Sequence, residues 1–169
     1  MDIRVGKIVD VVKNPNSENL YNEKIDIGNG EIREIASGLQ KHIPIEQVKD
    51  AMVVCILNLK PRKLADYMSA GMVLCAQPED GSKIEFLTPP AGSLPGDQVS
   101  FEGYERKPVD QLPASKPNKK NAWDNVCPCL VTDGNLIGCY KEPDTGKMLP
   151  FTTAKGVCKA TTVKDGIIK

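Results

Sequence analysis

The segment that decides the fold spans residues 51–76 and reads AMVVCILNLKPRKLADYMSAGMVLCA. It begins with seven apolar residues, Ala51–Leu57, and ends with a second apolar run, Gly71–Ala76. Short apolar runs bounded by turn residues are typical of buried strands. Between the two runs, three cations occur within four positions around a proline: Lys60, Arg62 and Lys63. The segment therefore predicts two core strands joined by a basic loop.

Strand patterns continue on both sides of this segment. RVGKIVDVV (Arg4–Val12) alternates and is rich in β-branched residues, which predicts a strand. LYNEKIDIG and EIREIASG meet at the turn Gly28-Asn29-Gly30 and predict a hairpin. IEFL (Ile84–Leu87) and DQVSFEG (Asp97–Gly103) are predicted as further strands. PIEQVKD (Pro44–Asp50) is predicted as a short helix, because proline favours the first helical turn.

Short strands with one small helix predict an all-β (mainly β) fold, a five-stranded Greek-key barrel of the OB-fold type over residues 1–103. Another small β barrel or sandwich stays open as an alternative. KPVDQLPASKPNKKN (Lys107–Asn121) has the composition of a linker. Beyond it, LIGCY, MLPFTT and GVCKATTV predict short strands, and roughly 45 residues is little for an independent core. Residues 104–169 are therefore predicted as a smaller β extension packed on the barrel.

Charge is distributed unevenly, although the formal net charge is zero. Residues 1–103 carry 11 Lys+Arg and 15 Asp+Glu (net −4), and residues 104–169 carry 11 and 7 (net +4). This excludes a uniformly basic nucleic-acid binder but allows a local basic surface. The longest apolar run is too short to cross a bilayer, and no secretory signal is visible. We therefore predict a cytoplasmic protein with reduced cysteines and no membrane partner.

Patterns for catalysis or metal binding are sparse. The single histidine, His42, has no nucleophile elbow near it, and the sequence contains neither a P-loop nor a G-x-G-x-x-G motif. Four cysteines could be imagined as a zinc site, but their spacing is poor for one: Cys127, Cys129, Cys139 and Cys158. We predict no catalytic site, no metal and no cofactor.

The basic loop has a physical interpretation. A strand that leaves a barrel can present cations at the barrel mouth while its own side chains fill the core. Lys60, Arg62 and Lys63 then form a positive patch, which Lys7 on the first strand would extend. A few such side chains suffice to hold nucleic-acid phosphates. The alternative is that these cations belong to a solvated surface loop without a partner.

Five motifs occur in a fixed order: DIRVGKIV, NPNSENLYNEKIDIG, SGL, NLKPRK with SAGM, and PPAGSLPGD. Together they resemble the EMAP II-like tRNA-binding domain, which is found appended to aminoacyl-tRNA synthetases and in their multisynthetase cofactors. The resemblance covers essentially the whole chain. It implies an OB-fold barrel followed by a β extension, which covers the surface that a second subunit covers in shorter dimeric relatives. It therefore implies a monomer.

The resemblance also implies general tRNA binding, which recognises shape and backbone more than sequence. The contact residues that it implies are Lys7, Asn58, Lys60, Arg62, Lys63, Ser69 and Met72. Asn58 and Ser69 would donate hydrogen bonds to a phosphate or a base edge, whereas Met72 could equally belong to the core.

The implied function is a noncatalytic module of a synthetase (methionyl-, tyrosyl- or lysyl-type) or of a synthetase cofactor. It would raise the local concentration of tRNA beside a synthetase catalytic domain or within a multisynthetase complex. Two alternatives stay open. One is a secreted EMAP II-like cytokine fragment, in which RVGKIVD (Arg4–Asp10) would be the active stretch. The other is a protein-docking OB module without nucleic-acid binding.

Two stretches depart from the family pattern. The family usually has Lys-Met-Arg-Gly where this chain has Lys63-Leu64-Ala65-Asp66, and His-Pro-Asp-Ala-Asp where this chain has Asn14-Pro15-Asn16-Ser17-Glu18. The first departure loses a cation and adds an anion beside the patch. We expect weaker tRNA binding than in a typical member, with compensation from cations nearer the C-terminus: Lys116, Lys119, Lys120, Lys155 and Lys159.

Overall fold

The computed structural model describes residues 1–105 and 122–169, whose secondary structure is nearly all β. The predicted linker, with Lys116, Lys119 and Lys120, lies outside the described residues. The strands, in chain order, are β1 (Ile3–Lys13), β2 (Tyr21–Asp26), β3 (Ile32–Ser37), β4 (Met52–Ile56), β5 (Arg62–Leu64), β6 (Tyr67–Ser69), β7 (Met72–Val73), β8 (Cys75–Gln77), β9 (Glu85–Phe86), β10 (Leu130–Thr132), β11 (Gly138–Lys141), β12 (Met148–Pro150), β13 (Thr152–Thr153), β14 (Gly156–Val157) and β15 (Ile167–Ile168). Two short helices accompany them, α1 (Ile45–Val48) and α2 (Ala122–Val126).

The first sheet contains five antiparallel strands in the order β3-β2-β1-β4-β7. Its two edges approach each other where the amide of Ala70, just before β7, donates to the carbonyl of Glu34 on β3 at 2.8 Å. The approach requires glycine at position 71, because a Cβ there would lie 2.9 Å from both the Ile35 side chain and the Ile56 carbonyl oxygen. The sheet is therefore nearly closed, and the prediction of an OB-like barrel is confirmed.

Strand β4 is buried on both of its faces. Val53 and Cys55 point into the barrel core, whereas Val54 and Ile56 point outward into a second core. Successive side chains of a strand alternate between faces, so a strand that is covered on both sides needs apolar residues at every position. The uninterrupted run AMVVCIL therefore reflects two cores rather than one.

The second core joins the barrel to the extension. It combines barrel residues such as Leu74 and Leu87 with Leu130, Phe151 and Ile168 of the extension. The second sheet has the order β12-β11-β10-β15-β8-β9, so the C-terminal strand β15 lies between β10 and β8. The boundaries 1–103 and 104–169 divide the chain in sequence, whereas the packing joins both parts through one sheet and one core.

Two carboxylates of the barrel half make polar contacts with the extension. Glu85 accepts hydrogen bonds from the amides of residues 161–163 at distances between 2.6 and 2.9 Å. Asp97 forms an ion pair with Lys155, with 2.7 Å between Oδ2 and Nζ. Lys155 is therefore already engaged in holding the extension, which weakens the expectation that it contributes to a tRNA-binding surface.

Two predicted strands differ in the structure. Gly71–Ala76 contains β7 and the first two residues of β8, and these strands belong to different sheets. Asp97–Gly103 forms only isolated bridges, from Gln98 to Arg4 of β1 and from Ser100 to Thr152 of the extension. In both cases the chain passes from one sheet to another within a few residues, so no regular ladder can extend.

Candidate nucleic-acid interface

The predicted basic loop is a β-hairpin. β5 pairs with β6, with Arg62 opposite Ser69 and Leu64 opposite Tyr67. The connection is the two-residue turn Ala65-Asp66, whose φ angles are +44° and +64°. Two central residues with positive φ are the hallmark of a type I′ turn, whose twist suits a tight hairpin. Sequence analysis missed this hairpin because such turns are usually recognised by Asn-Gly or Asp-Gly.

We call this hairpin the basic hairpin (residues 60–69). The pairing of β5 with β6 places its cations on two different faces. Residues directly opposite each other in a ladder share a face, and successive residues alternate. Arg62 therefore shares a face with the buried Ser69, whereas Lys63 lies on the other face with Met68, which is 52% exposed. All three cations are exposed. The sequence cluster is thus a two-sided set of cations rather than a single-sided patch.

The cations differ in their ion pairing. Lys63 Nζ lies 3.4 Å from Asp66 Oδ1 across the turn, and both side chains are largely exposed. Such exposed pairs contribute little free energy and exchange readily with other charges. Lys60 and Arg62 form no ion pair with any residue in the described ranges. Two of the three cations can therefore bind a phosphate without first breaking an ion pair with a described carboxylate.

The base of the hairpin is anchored by Arg33 of β3, a residue that sequence analysis did not single out. Its guanidinium donates hydrogen bonds to the carbonyl oxygens of Leu57 at 2.9 Å and Ala70 at 3.0 Å, which lie on the two sides of the hairpin base. It also forms an ion pair with Glu31 at 2.7 Å. In the sequence, Arg33 is an ordinary polar residue of an alternating strand, so no signal distinguished it.

Ser69 and Asn58 are held by hydrogen bonds within the protein. Ser69 is 5% exposed, and its hydroxyl accepts the amide of Ala36 at 3.0 Å and donates to the carbonyl of Gly71 at 3.2 Å. The side-chain oxygen of Asn58 accepts the amide of Asp2 at 2.6 Å. Since the single hydroxyl proton of Ser69 is used internally, the structure gives Ser69 a place in the hairpin base rather than on a phosphate-facing surface.

Lys7 and Met72 lie apart from the hairpin cations. Lys7 pairs with Asp26 and Met52. Ile3, by contrast, pairs with Ile56 beside the hairpin base. Lys7 is four residues further along β1 than Ile3, so the two positions are about 13 Å apart. Met72 is half-buried on β7 and belongs to neither core. Both stay predictions, and the structure does not bring Lys7 to the basic hairpin.

The remaining sequence candidates form no reactive cluster. No group of three or more His, Cys, Asp or Glu residues within 1–105 and 122–169 is arranged to hold a metal ion. Burial raises the pKa of the Cys55 and Cys75 thiols. In the same described ranges, no helix is long and apolar enough to span a membrane.

A family model described as "Putative tRNA binding domain" matches residues 3–98, which include the whole barrel and the basic hairpin. The chain belongs to the tRNA-binding-domain family. The C-terminal domain of Plasmodium vivax p43 has a similar structure, with a TM-score of 0.84 and 30% identity over 99% of this chain and 96% of that one. The family resemblance predicted from the five motifs is thereby confirmed.

Curated relatives of this family extend beyond the present chain. The cytoplasmic methionine–tRNA ligase of Arabidopsis thaliana is 45% identical over 100% of this chain and 20% of its own length. The aminoacyl tRNA synthase complex-interacting multifunctional protein 1 of Cricetulus griseus is 38% identical over 100% of this chain and 44% of its own length. The chain thus spans less than half the length of either relative.

Proposed function

We propose that this tRNA-binding domain is a noncatalytic module that binds tRNA through the basic hairpin and serves an aminoacyl-tRNA synthetase or a synthetase cofactor. The names of the relatives support this proposal, because a synthetase and a synthetase-complex protein share the domain over its whole length. A tethered module of this kind raises the effective concentration of tRNA beside a catalytic domain without taking part in the chemistry.

The observation that supports the proposal most is the exposure of two hairpin cations that have no ion pair with a described residue. Lys60 and Arg62 are exposed, and no described carboxylate pairs with them. They stand at the start of a hairpin whose base is fixed by Arg33, so the backbone that carries them is already ordered before they bind. Contacts from such cations to phosphates carry no sequence information, which suits recognition of many tRNAs by shape.

We further propose that the module is a cytoplasmic monomer. The extension covers the outer face of β4 and buries Val54 and Ile56, so this apolar face is not available to a second copy. The cytokine alternative gains no support from β1. This strand lies between β2 and β4 in the sheet, and Val5 and Ile8 within the Arg4–Asp10 stretch are fully buried.

The decisive experiment is a titration with bulk tRNA at several salt concentrations. The triple variant K60A/R62A/K63A should weaken binding and reduce the slope of log affinity against log salt by about two to three, since each lost phosphate contact removes about one unit. The matched control K141A/K147A/K164A removes three exposed cations from the extension. This control should change the tRNA affinity and its salt dependence far less than the hairpin variant does.

Equal losses in the two triple variants would show that overall charge, and not the hairpin, governs binding. Binding by the wild-type protein that is insensitive to salt, or undetectable, would favour the protein-docking alternative.

A further inference from the structure

The two stretches that depart from the family pattern contact each other. Asn14 begins the loop of residues 14–19, here called the Asn14 loop, and is 5% exposed. Its amide nitrogen donates to the side-chain oxygen of Asn22 at 3.0 Å and to the carbonyl oxygen of Ala65 at 3.2 Å. Its own oxygen accepts the amide of Asn16 at 2.8 Å. Both protons and the oxygen of this side chain are therefore used, and one bond crosses to the hairpin turn.

The turn needs such support. Ala65 and Asp66 both have positive φ, and for alanine the left-handed region is strained because Cβ comes too close to the following carbonyl oxygen. Asp66 tolerates this region better, but Ala-Asp lacks the Asn-Gly chemistry that stabilises a type I′ turn by itself. Because the turn is not favoured by its own residues, contacts from outside the hairpin must hold it.

The two ends of the hairpin have separate anchors. Arg33 and Ser69 hold the base, whereas Asn14 holds the turn, with a longer contact of 3.5 Å from Asn16 to the Asp66 carboxylate. Tyr67 adds a hydroxyl contact of 3.4 Å to the carbonyl of Glu23. Lys63 is one cross-strand pair from the turn. Lys63 also lies next to the Arg62–Ser69 pair at the base, but its Nζ lies 3.4 Å from Asp66 Oδ1 in the turn. The anchor at the turn therefore acts on Lys63 together with the anchor at the base.

We propose that Asn14 is a positioning residue for tRNA binding: it holds the turn of the basic hairpin against the Asn14 loop and so sets where Lys63 is presented. The inference rests on the proposed function of the hairpin. The loop and the turn act as one unit, and the geometry of the turn comes from Asn14 rather than from Ala65 and Asp66.

The test is a double-mutant cycle on tRNA affinity. N14A should weaken binding about three- to tenfold at moderate salt, because the turn loses its external anchor. The double variant A65N/D66G supplies a turn that favours the type I′ conformation by itself. In that background, N14A should weaken binding less than about twofold, since the anchor is no longer needed. Thermal unfolding of each variant confirms that binding is measured on folded protein.

The matched control is N22A. It removes the Asn14–Asn22 hydrogen bond, as N14A does, but leaves the bond from Asn14 to Ala65. N22A should therefore bind tRNA within about twofold of the wild type. Equal losses from N14A and N22A, or an equal loss from N14A in both turn backgrounds, would overturn the proposal.

Amide hydrogen exchange of residues 63–68 tests the anchor without tRNA. These amides should exchange about tenfold faster in N14A than in N22A, because the turn opens more often. Unchanged protection in N14A overturns the role of Asn14 even if the protein binds tRNA. If the wild-type protein does not bind tRNA, the proposed function is wrong. Faster amide exchange in N14A than in N22A would even then establish that Asn14 holds the turn.

Discussion

The basic hairpin and the extension both carry exposed cations, and each region has some that are ion-paired and some that are not. In the extension, Lys155 is paired with Asp97 at 2.7 Å and Lys147 with Glu102 at 3.9 Å. Its exposed Lys141, Lys159 and Lys164 form no ion pair with a described residue. In the hairpin, Lys60 and Arg62 have no carboxylate partner within the described part of the chain. The proposed interface thus lies in the half with net charge −4, and not in the half with net charge +4. What distinguishes the hairpin is that it places three exposed cations within four residues of one another, on an element whose base is held by Arg33.

Two carboxyl groups of the barrel half also differ, one inside the barrel and one at the contact with the extension. Burial raises the pKa of Glu23, which lies inside the barrel with a single hydrogen bond from Ser37 at 2.8 Å, to about 8. Partial burial alone would raise the pKa of Glu85 at the extension, but hydrogen bonds from Thr162 and Val163 lower it below its ordinary value. The barrel therefore favours a protonated carboxyl, whereas the contact with the extension favours a carboxylate.

The largest expected effect comes from breaking the shared core. Phe151 is fully buried there, with its ring centroid 4.8 Å from that of Phe101. F151A should lower the free energy of unfolding by about 3–5 kcal/mol, since it removes a large apolar side chain and leaves a cavity. Because the core belongs to both parts, calorimetry should show one transition for barrel and extension together.

The control for this variant is M148A, which truncates a partly exposed residue on β12 and should cost about 0.5 kcal/mol or less. Two separate transitions in F151A, with the barrel unaffected, would show that the two parts fold independently.

The second prediction concerns Glu23 and pH. A pKa raised from 4.5 to about 8 means that the folded state holds this proton more tightly than the unfolded state. The stability that it contributes is fully present below pH 4.5 and is lost as the pH rises through about 8. Relative to E23Q, the free energy of unfolding of the wild type should fall across this window by up to about 1.4 kcal/mol per pH unit.

Urea unfolding at several pH values measures this difference. E18Q, which alters an exposed carboxylate of the Asn14 loop, serves as the control and should retain the wild-type slope. Parallel stability profiles for E23Q and the wild type between pH 5 and pH 8 would be incompatible with a buried protonated Glu23.

The smallest expected effect comes from breaking the ion pair between Lys63 and Asp66, which tests whether pairing limits tRNA binding. D66N removes the carboxylate that pairs with Lys63 and keeps a residue that tolerates positive φ. Since an exposed pair is worth a few tenths to one kcal/mol, tRNA affinity should rise about two- to fourfold. D144N removes an equally exposed charge from the extension and should leave the affinity unchanged. A similar gain in both variants would implicate net charge instead of pairing.

Particular residues show how far sequence analysis reached. The apolar run at β4 and the Gly28-Asn29-Gly30 hairpin were predicted correctly, because burial and turn chemistry leave local patterns. The hairpin within the basic loop was missed, because Ala65-Asp66 carries no turn signal and is held from outside. Ser69 was grouped with the cations by the family resemblance and Lys7 also by its place on the first strand. The structure buries Ser69 and places Lys7 opposite Met52, at the far end of β4.

The sequence by itself determined that this protein is mainly β, that it belongs to the tRNA-binding-domain family and that its cations cluster after β4. Local apolar periodicity and turn residues predict the strands and place the cations, and the resemblance of five ordered motifs to known sequences identifies the family. Tertiary structure alone decided which cations lack a carboxylate partner among residues 1–105 and 122–169, that Arg33 holds the hairpin base, and that Asn14 meets Ala65 across 51 residues. Such contacts depend on strand register and on barrel closure, and these are set by the packing of the whole chain.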